Sequence, residues 1–165
     1  MKAAFLSLAL ALPIVALGAD SNADATFYKH AAEGGMAEVE LGNLAQQKSS
    51  SQSVKDFGAM MVADHTAAND KLKAIAASKN IKLPTSPGVG QMAAKAKLEV
   101  LSGDTFDRSY IKGMIADHEE DIKEFKKESV SGEDADAKAY ATATLPTLQA
   151  HLKKIRAIAA AAGVS

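Results

Sequence analysis

Residues 80–104 read NIKLPTSPGVGQMAAKAKLEVLSGD, and the reading of this stretch decides the fold. Pro84 and Pro87 stop any helix entering from the N-terminal side, because proline lacks the N–H donor and its ring clashes with the preceding turn. From Gly88 to Ser102 the residues suit a short helix, closed by Gly103. Long amphipathic segments flank the stretch. Before it, helical spacing predicts a first long helix over about Thr26–Lys48 and a second over Val54–Lys79, separated by SSSQS. After it come a third over Thr105–Ser129 and a fourth over Ala135–Ala162, separated by SGED. Each short loop makes an antiparallel hairpin. The connection quoted above is long enough to run the length of a bundle, so it makes the second and third long helices parallel. The expected fold is all-α: a ferritin-like four-helix bundle whose long crossover carries a short extra helix. Short loops throughout would instead give a simple up-and-down bundle.

Composition agrees. Of 165 residues, 47% are hydrophobic and only 5% aromatic, with abundant alanine and no tryptophan, which suits helices better than strands. A net charge of −1 gives no reason to expect nucleic acid or an anionic membrane as partner. The absence of cysteine excludes disulfides, thiolate metal sites and thiol nucleophiles.

The first residues, MKAAFLSLALALPIVALGADSNADA, have one lysine, an apolar run and then small residues, the layout of a secretory signal peptide. The expected division is a signal peptide over 1–23 and a bundle domain over 24–165, with cleavage after Gly18, Ala19 or Ala23. An uncleaved anchor is the alternative. The run is shorter than the roughly 20 residues a spanning helix needs, and Pro13 interrupts it. The mature chain has no apolar span and no sustained two-residue alternation, so the expectation is export to the periplasm rather than a membrane barrel.

Local signals mark the helix ends. Asp24 or Thr26 can cap the first helix, Ser53 with Asp56 resembles a capping box, Asn80 suits a C-terminal cap, and Asp104 an N-terminal one. Gly34-Gly35 suggests close helix packing, and Pro146 should kink the fourth helix.

Two pentapeptides repeat: MVADH, ending at His65, and MIADH, ending at His118. Both histidines lie on the apolar seams of their helices, His65 with Met61 and Leu72, His118 with Ile111, Met114 and Phe125. On the fourth helix the seam runs Leu148, His151 or Leu152, Ile155 and Ile158, so His151 can face inward too. On the first helix the stripe Glu33, Ala37, Glu40, Leu44 turns two carboxylates inward. Imidazoles and carboxylates converging from four helices suit a divalent transition metal. Asp64 and Asp117, each next to a histidine, are candidate ligands at the edge of the site or acceptors for the second imidazole N–H. The candidate metal set is therefore Glu33, Glu40, Asp64, His65, Asp117, His118 and His151. His30 reads as a surface histidine. Packing alone prefers leucine or alanine to a buried histidine, which is costly unless it is paired.

The blocks AAEGGMAEVELGNLA, MMVADHTAANDKL, MIADHEEDIKEF and LPTLQAHL resemble a bacterial family of exported helix bundles, the domain of unknown function 4142, often labelled outer-membrane proteins. The resemblance covers nearly all of the mature chain. It implies a ferritin-like fold and export, and it carries no settled activity. The outer-membrane label fits poorly with an all-helical sequence. The chain departs from diiron ferritins, whose signature is Glu-x-x-His. Val62, Ile115 and Leu148 stand three residues before the histidines, which disfavours a diiron oxidase or bulk iron storage.

The expected function is an exported metal-binding bundle with zinc or iron as the leading metals and no organic cofactor. Copper follows them, because Met36, Met61 and Met114 lie one turn before Glu40, His65 and His118 and soft sulfur selects Cu(I). Methionine is also an ordinary core filler. A metal-free structural or interaction bundle of the envelope is the alternative. A metal-dependent redox enzyme is a further one, since an open metal position activates water or peroxide.

Overall fold

The computed structural model describes residues 22–165, so all but the end of the expected leader lies outside the described residues. The chain forms α1 (Asn22–Lys48), α2 (Gln52–Ser78), α3 (Val89–Glu99), α4 (Gly103–Ser131) and α5 (Ala135–Ala161). Among the described residues no helix is long and apolar enough to cross a membrane.

The helix directions follow from contacts at the two ends. At one end, the first turn of α1 meets the α4–α5 loop. The Asp24 carboxylate accepts from the backbone N–H groups of Glu133 and Asp134 at 3.1 and 2.9 Å. Lys79, at the C-terminus of α2, reaches Asp134 and Asp136 at 2.8 and 3.0 Å. At the other end, the α1–α2 hairpin meets the start of α4. The Ser50 hydroxyl donates to Asp107 at 2.6 Å and the Ser50 N–H does so at 3.2 Å. The Ser49 hydroxyl donates to the same carboxylate. Therefore α2 and α4 run parallel, and residues 79–102 cross the full height of the bundle, as the long connection predicts. The two hairpins pack side by side, α1 against α4 and α2 against α5.

The helix ends explain the boundaries. Asn80 takes a positive φ of 57°, the Ile81 N–H donates to the Ala76 carbonyl and the Asn80 N–H to that of Ala77. This is a Schellman motif. α3 ends at Glu99, earlier than expected, and Lys48 donates to the Glu99 and Leu101 carbonyls there. The expected capping box at Ser53 does not form: α2 begins after Ser51, whose hydroxyl contacts that of Ser53, while Asp56 accepts from Gln52 at 2.8 Å. Asp104 lies inside the first turn of α4, paired with Arg108. α5 runs through Pro146 uninterrupted. In α1 and α2 the close approach is made by Gly42 and Gly58, where a Cβ on either would stand 2.6 Å from the other's carbonyl oxygen. Gly35 also meets α2, at Asn69, whereas a Cβ on Gly34 would meet nothing within 4 Å.

The interior is divided. One apolar cluster holds Phe57, Met61, Tyr110, Ile111, Met114 and Ile155. The other holds Phe27, Leu72, Phe125, Tyr140 and Leu148. Between them, near the middle of each long helix, lies a buried polar layer of Glu38, His65, Asn69, His118 and His151.

Candidate metal centre

Seam spacing and the parallel course of α2 and α4 bring His65, His118 and His151 together. Their ring centroids are 5.4 to 6.0 Å apart, and one nitrogen of each lies within 4.8 Å of the others'. All three rings are buried, and Phe57 packs edge-on against His118 and His151.

Hydrogen bonds to acceptors assign the tautomers of two rings. His118 Nδ1 lies 2.9 Å from the Met114 carbonyl oxygen, which can only accept, so Nδ1 carries the proton. His151 Nε2 lies 2.8 Å from the Asp64 carboxylate and donates to it. The remaining nitrogens, His118 Nε2 and His151 Nδ1, face each other across 3.3 Å, and when both rings are neutral each turns a lone pair to the other. His65 Nε2 is buried with no hydrogen-bond partner among the described residues. Such facing lone pairs repel unless a cation lies between them. Two nitrogens each about 2.05 Å from one tetrahedral ion stand about 3.3 Å apart, which matches the His118–His151 spacing. The third imidazole, His65, has a nitrogen within 4.8 Å of both. Three imidazoles leave a fourth position of such an ion open.

Electrostatics keep His65 and His118 neutral. Burial, with the neighbouring His118 and His151, pushes His65 down to about 3, and burial with His151 pushes His118 down to about 4. Neutral imidazole is the form that ligates a metal.

The carboxylates fall differently from the sequence expectation. Glu40 is not beside the histidines: its side chain is 42% exposed and pairs with Lys95 of α3 at 3.3 Å. Glu33 lies near Lys29 at the rim of a cleft. The buried acid of α1 is Glu38, whose Oε1 lies 3.7 Å from His118 Nδ1. Glu40 is two residues from Glu38, roughly 200° around the helix, so it points almost oppositely. The alanine-rich α1 has a broad, weakly marked seam, which made the Glu33–Leu44 stripe look plausible. The signal for Glu38 was its place in the 3-4 series Ala31, Glu38, Leu41, Ala45. Asp64 accepts from His151 of α5 rather than from its neighbour His65. Among the described residues no hydrogen bond or ion pair joins Asp117 to a histidine; it lines the cleft, its carboxyl raised by burial and by Glu120. Burial, then Asp121 and Asp117, holds Glu38 well above the usual range. His30 is half exposed and meets Glu124 at 3.0 Å. Met61 and Met114 are buried in the apolar cluster beneath the rings, and Met36 lines a separate small cavity beside Leu72.

A family model described as a domain of unknown function, DUF4142, matches residues 11–158. No curated protein matches the chain. Among solved structures, a DUF305 protein from Streptomyces coelicolor, described as secreted, is similar over 87% of this chain and 95% of its own, with a TM-score of 0.73 and 15% identity. A DUF305 fragment from Deinococcus radiodurans is similar over 84% and 96%, with a TM-score of 0.73 and 12% identity. CopM in a Cu(I)-bound form is similar over 82% and 94%, with a TM-score of 0.68 and 14% identity.

Proposed function

The chain belongs to the DUF4142 family, and from that premise we propose that it is an exported metal-binding bundle whose ion is held by His65, His118 and His151. The observation that carries this reading is the gathering of three buried imidazoles, with His118 Nε2 and His151 Nδ1 3.3 Å apart and the orphaned His65 Nε2 beside them. Asp64 acts through His151 by fixing its tautomer and raising its basicity, and the Met114 carbonyl does the same for His118. When bound, the ion supplies Lewis acidity at one open position.

The donor set orders the metals. Iron sites lean on carboxylates, and here the acids nearest the rings, Asp64 and Glu38, meet His151 Nε2 and His118 Nδ1, the nitrogens turned away from the facing pair, so iron drops behind zinc and copper. CopM is described in Cu(I)-, Cu(II)- and Ag-bound forms, and its likeness to this chain brings copper forward beside zinc. Export fits the N-terminal run and the secreted DUF305 relative. Because α1 starts at Asn22 and Asp24 ties its first turn to the α4–α5 loop, cleavage after Gly18 or Ala19 preserves that contact better than cleavage after Ala23.

The test is elemental analysis of protein purified without a histidine tag, followed by Zn(II), Cu(I) and Cu(II) competition. About one equivalent of metal, lost in a His65→Ala/His118→Ala double variant, is the expected result. Metal content unchanged by that double substitution would make the protein a metal-free bundle with adventitious ions.

A further inference from the structure

A cleft of about 620 Å³ runs along α1 and α4 below the start of α3. Six carboxylates line it: Glu33, Glu38, Asp117, Glu120, Asp121 and Glu124. Lys29 is the one lysine or arginine among its walls. Glu38 forms its inner wall, buried to 3% exposure, and its Oε2 has no hydrogen-bond partner among the described residues. A second, narrow cavity of about 20 Å³ continues inward. That volume is of the order of one water molecule. The two cavities share His30, Gly34, Asp121 and Glu124, and the inner one is lined by His65. A Cβ on Gly34 would meet nothing within 4 Å, so the missing side chain leaves open space where the cavities meet.

These carboxylates do not form a chelate of their own. Among the described residues, the three histidines are the one group of possible ligands gathered within 4.8 Å. The acids are spread along the cleft wall, and two of them, Asp121 and Glu124, also line the inner cavity that holds His65. Such a surface concentrates cations and passes them on.

We propose that this acidic cleft is the loading channel of the histidine centre, through which a hydrated cation enters, passes Gly34 between His30 and Asp121, and reaches His65. The inference rests on the metal reading above. Carboxylate oxygens replace waters that the ion sheds in the neck, and the imidazoles take over inside. Glu38 lines the cleft, and its Oε1 lies 3.7 Å from His118.

The test uses the mature protein with Cu(II), which sites of nitrogen and oxygen donors bind most tightly among the divalent first-row ions. Uptake and release are followed by stopped-flow tyrosine quenching at several salt concentrations, and affinity by chelator competition. Gly34→Leu should slow uptake and release by the same factor, at least about tenfold, with affinity within about twofold, because a narrowed gate alters passage in both directions alike. Gly34→Ala is the control for helix effects and should leave both rates near wild type. A Glu33→Gln/Glu120→Gln variant should slow uptake about tenfold at low salt and flatten its salt dependence. If Gly34→Leu also weakens affinity, the carboxylate variant decides, and its unchanged uptake would overturn the channel. Tight, His65-dependent Cu(II) binding with unaltered rates in both variants overturns the channel and leaves the metal reading standing. Wild-type protein that binds no Cu(II) overturns both.

Discussion

Two buried polar groups in this bundle are built in opposite ways. At the hairpin end, Asp107 is buried, and its two oxygens accept from Ser49, Ser50 and the Ser50 backbone, so the cluster closes on itself. At mid-height, the histidine layer closes only on its outer side. Met114 and Asp64 hold two of the rings, while the inner nitrogens face one another and His65 Nε2 and Glu38 Oε2 have no partner among the described residues. A polar cluster that only has to tie elements together is satisfied by the chain. One that has to take an ion keeps its lone pairs directed at a common point, at a cost to the stability of the metal-free fold.

The largest test of this contrast is a crossed pair of substitutions. Asp107→Ala should lower unfolding stability by about 3 kcal/mol, because it orphans several donors of the hairpin. It should leave metal affinity within about twofold. His65→Leu should abolish metal binding and leave the apo protein as stable as wild type or about 1 kcal/mol more so, since an apolar side chain removes an unpaired nitrogen from the core. Chemical denaturation with metal titration reads both. If both variants lose stability and keep metal, the two clusters are alike and the contrast fails.

Asp64→Asn probes the outer side of the centre. The amide no longer offers His151 a carboxylate acceptor, and metal affinity should fall about 10- to 100-fold. Asp117→Asn, which breaks no hydrogen bond to a histidine, should change affinity less than threefold. Equal losses in the two variants would remove Asp64 from its special place.

Acid sharpens the comparison further. His65 and His118 are lowered in the folded protein to about 3 and about 4, from 6.5. Unfolding therefore takes up protons below pH 6.5, and the stability present above that pH is lost as pH falls toward those values. Between pH 6.5 and 5 each histidine costs the apo protein about 2 kcal/mol. Asp121, raised by burial and by Asp117 to about 7, and Glu38, also raised, act in the reverse sense, since their folded forms hold protons that the unfolded chain has released. The difference between wild type and His65→Leu cancels the carboxylates. That difference should grow by about 2 kcal/mol in favour of the variant from pH 6.5 to 5. A constant difference would mean that His65 is not held neutral.

The smallest expected effect separates two adjacent glycines. Gly34→Ala should stabilise α1 by up to about 1 kcal/mol, the usual helix preference of alanine. Gly35→Ala places a Cβ 2.0 Å from the Asn69 side chain and should destabilise by a comparable amount. Thermal unfolding of the two apo variants checks the opposite signs.

These contrasts divide along the line between local and tertiary information. Helix content, the turns at Pro84 and Asn80, the crossover and the inward course of His65, His118 and His151 were all legible, because apolar periodicity and turn chemistry are properties of a segment and its neighbours in sequence. Parallel α2 and α4 then followed from the length of one connection. The acid that accompanies the histidines was not legible. Whether Glu38 or Glu40 faces the axis depends on how α1 is rotated, and in an alanine-rich helix that rotation is set by outside contacts: Gly42 against Gly58, and Lys95 of α3 drawing Glu40 outward. Nor could adjacency in MVADH show that Asp64 serves His151, 87 residues away, rather than His65. Neighbours in a helix diverge by roughly 100°, so a side chain beside a ligand usually meets another helix, and only the register between helices decides which residue it finds there.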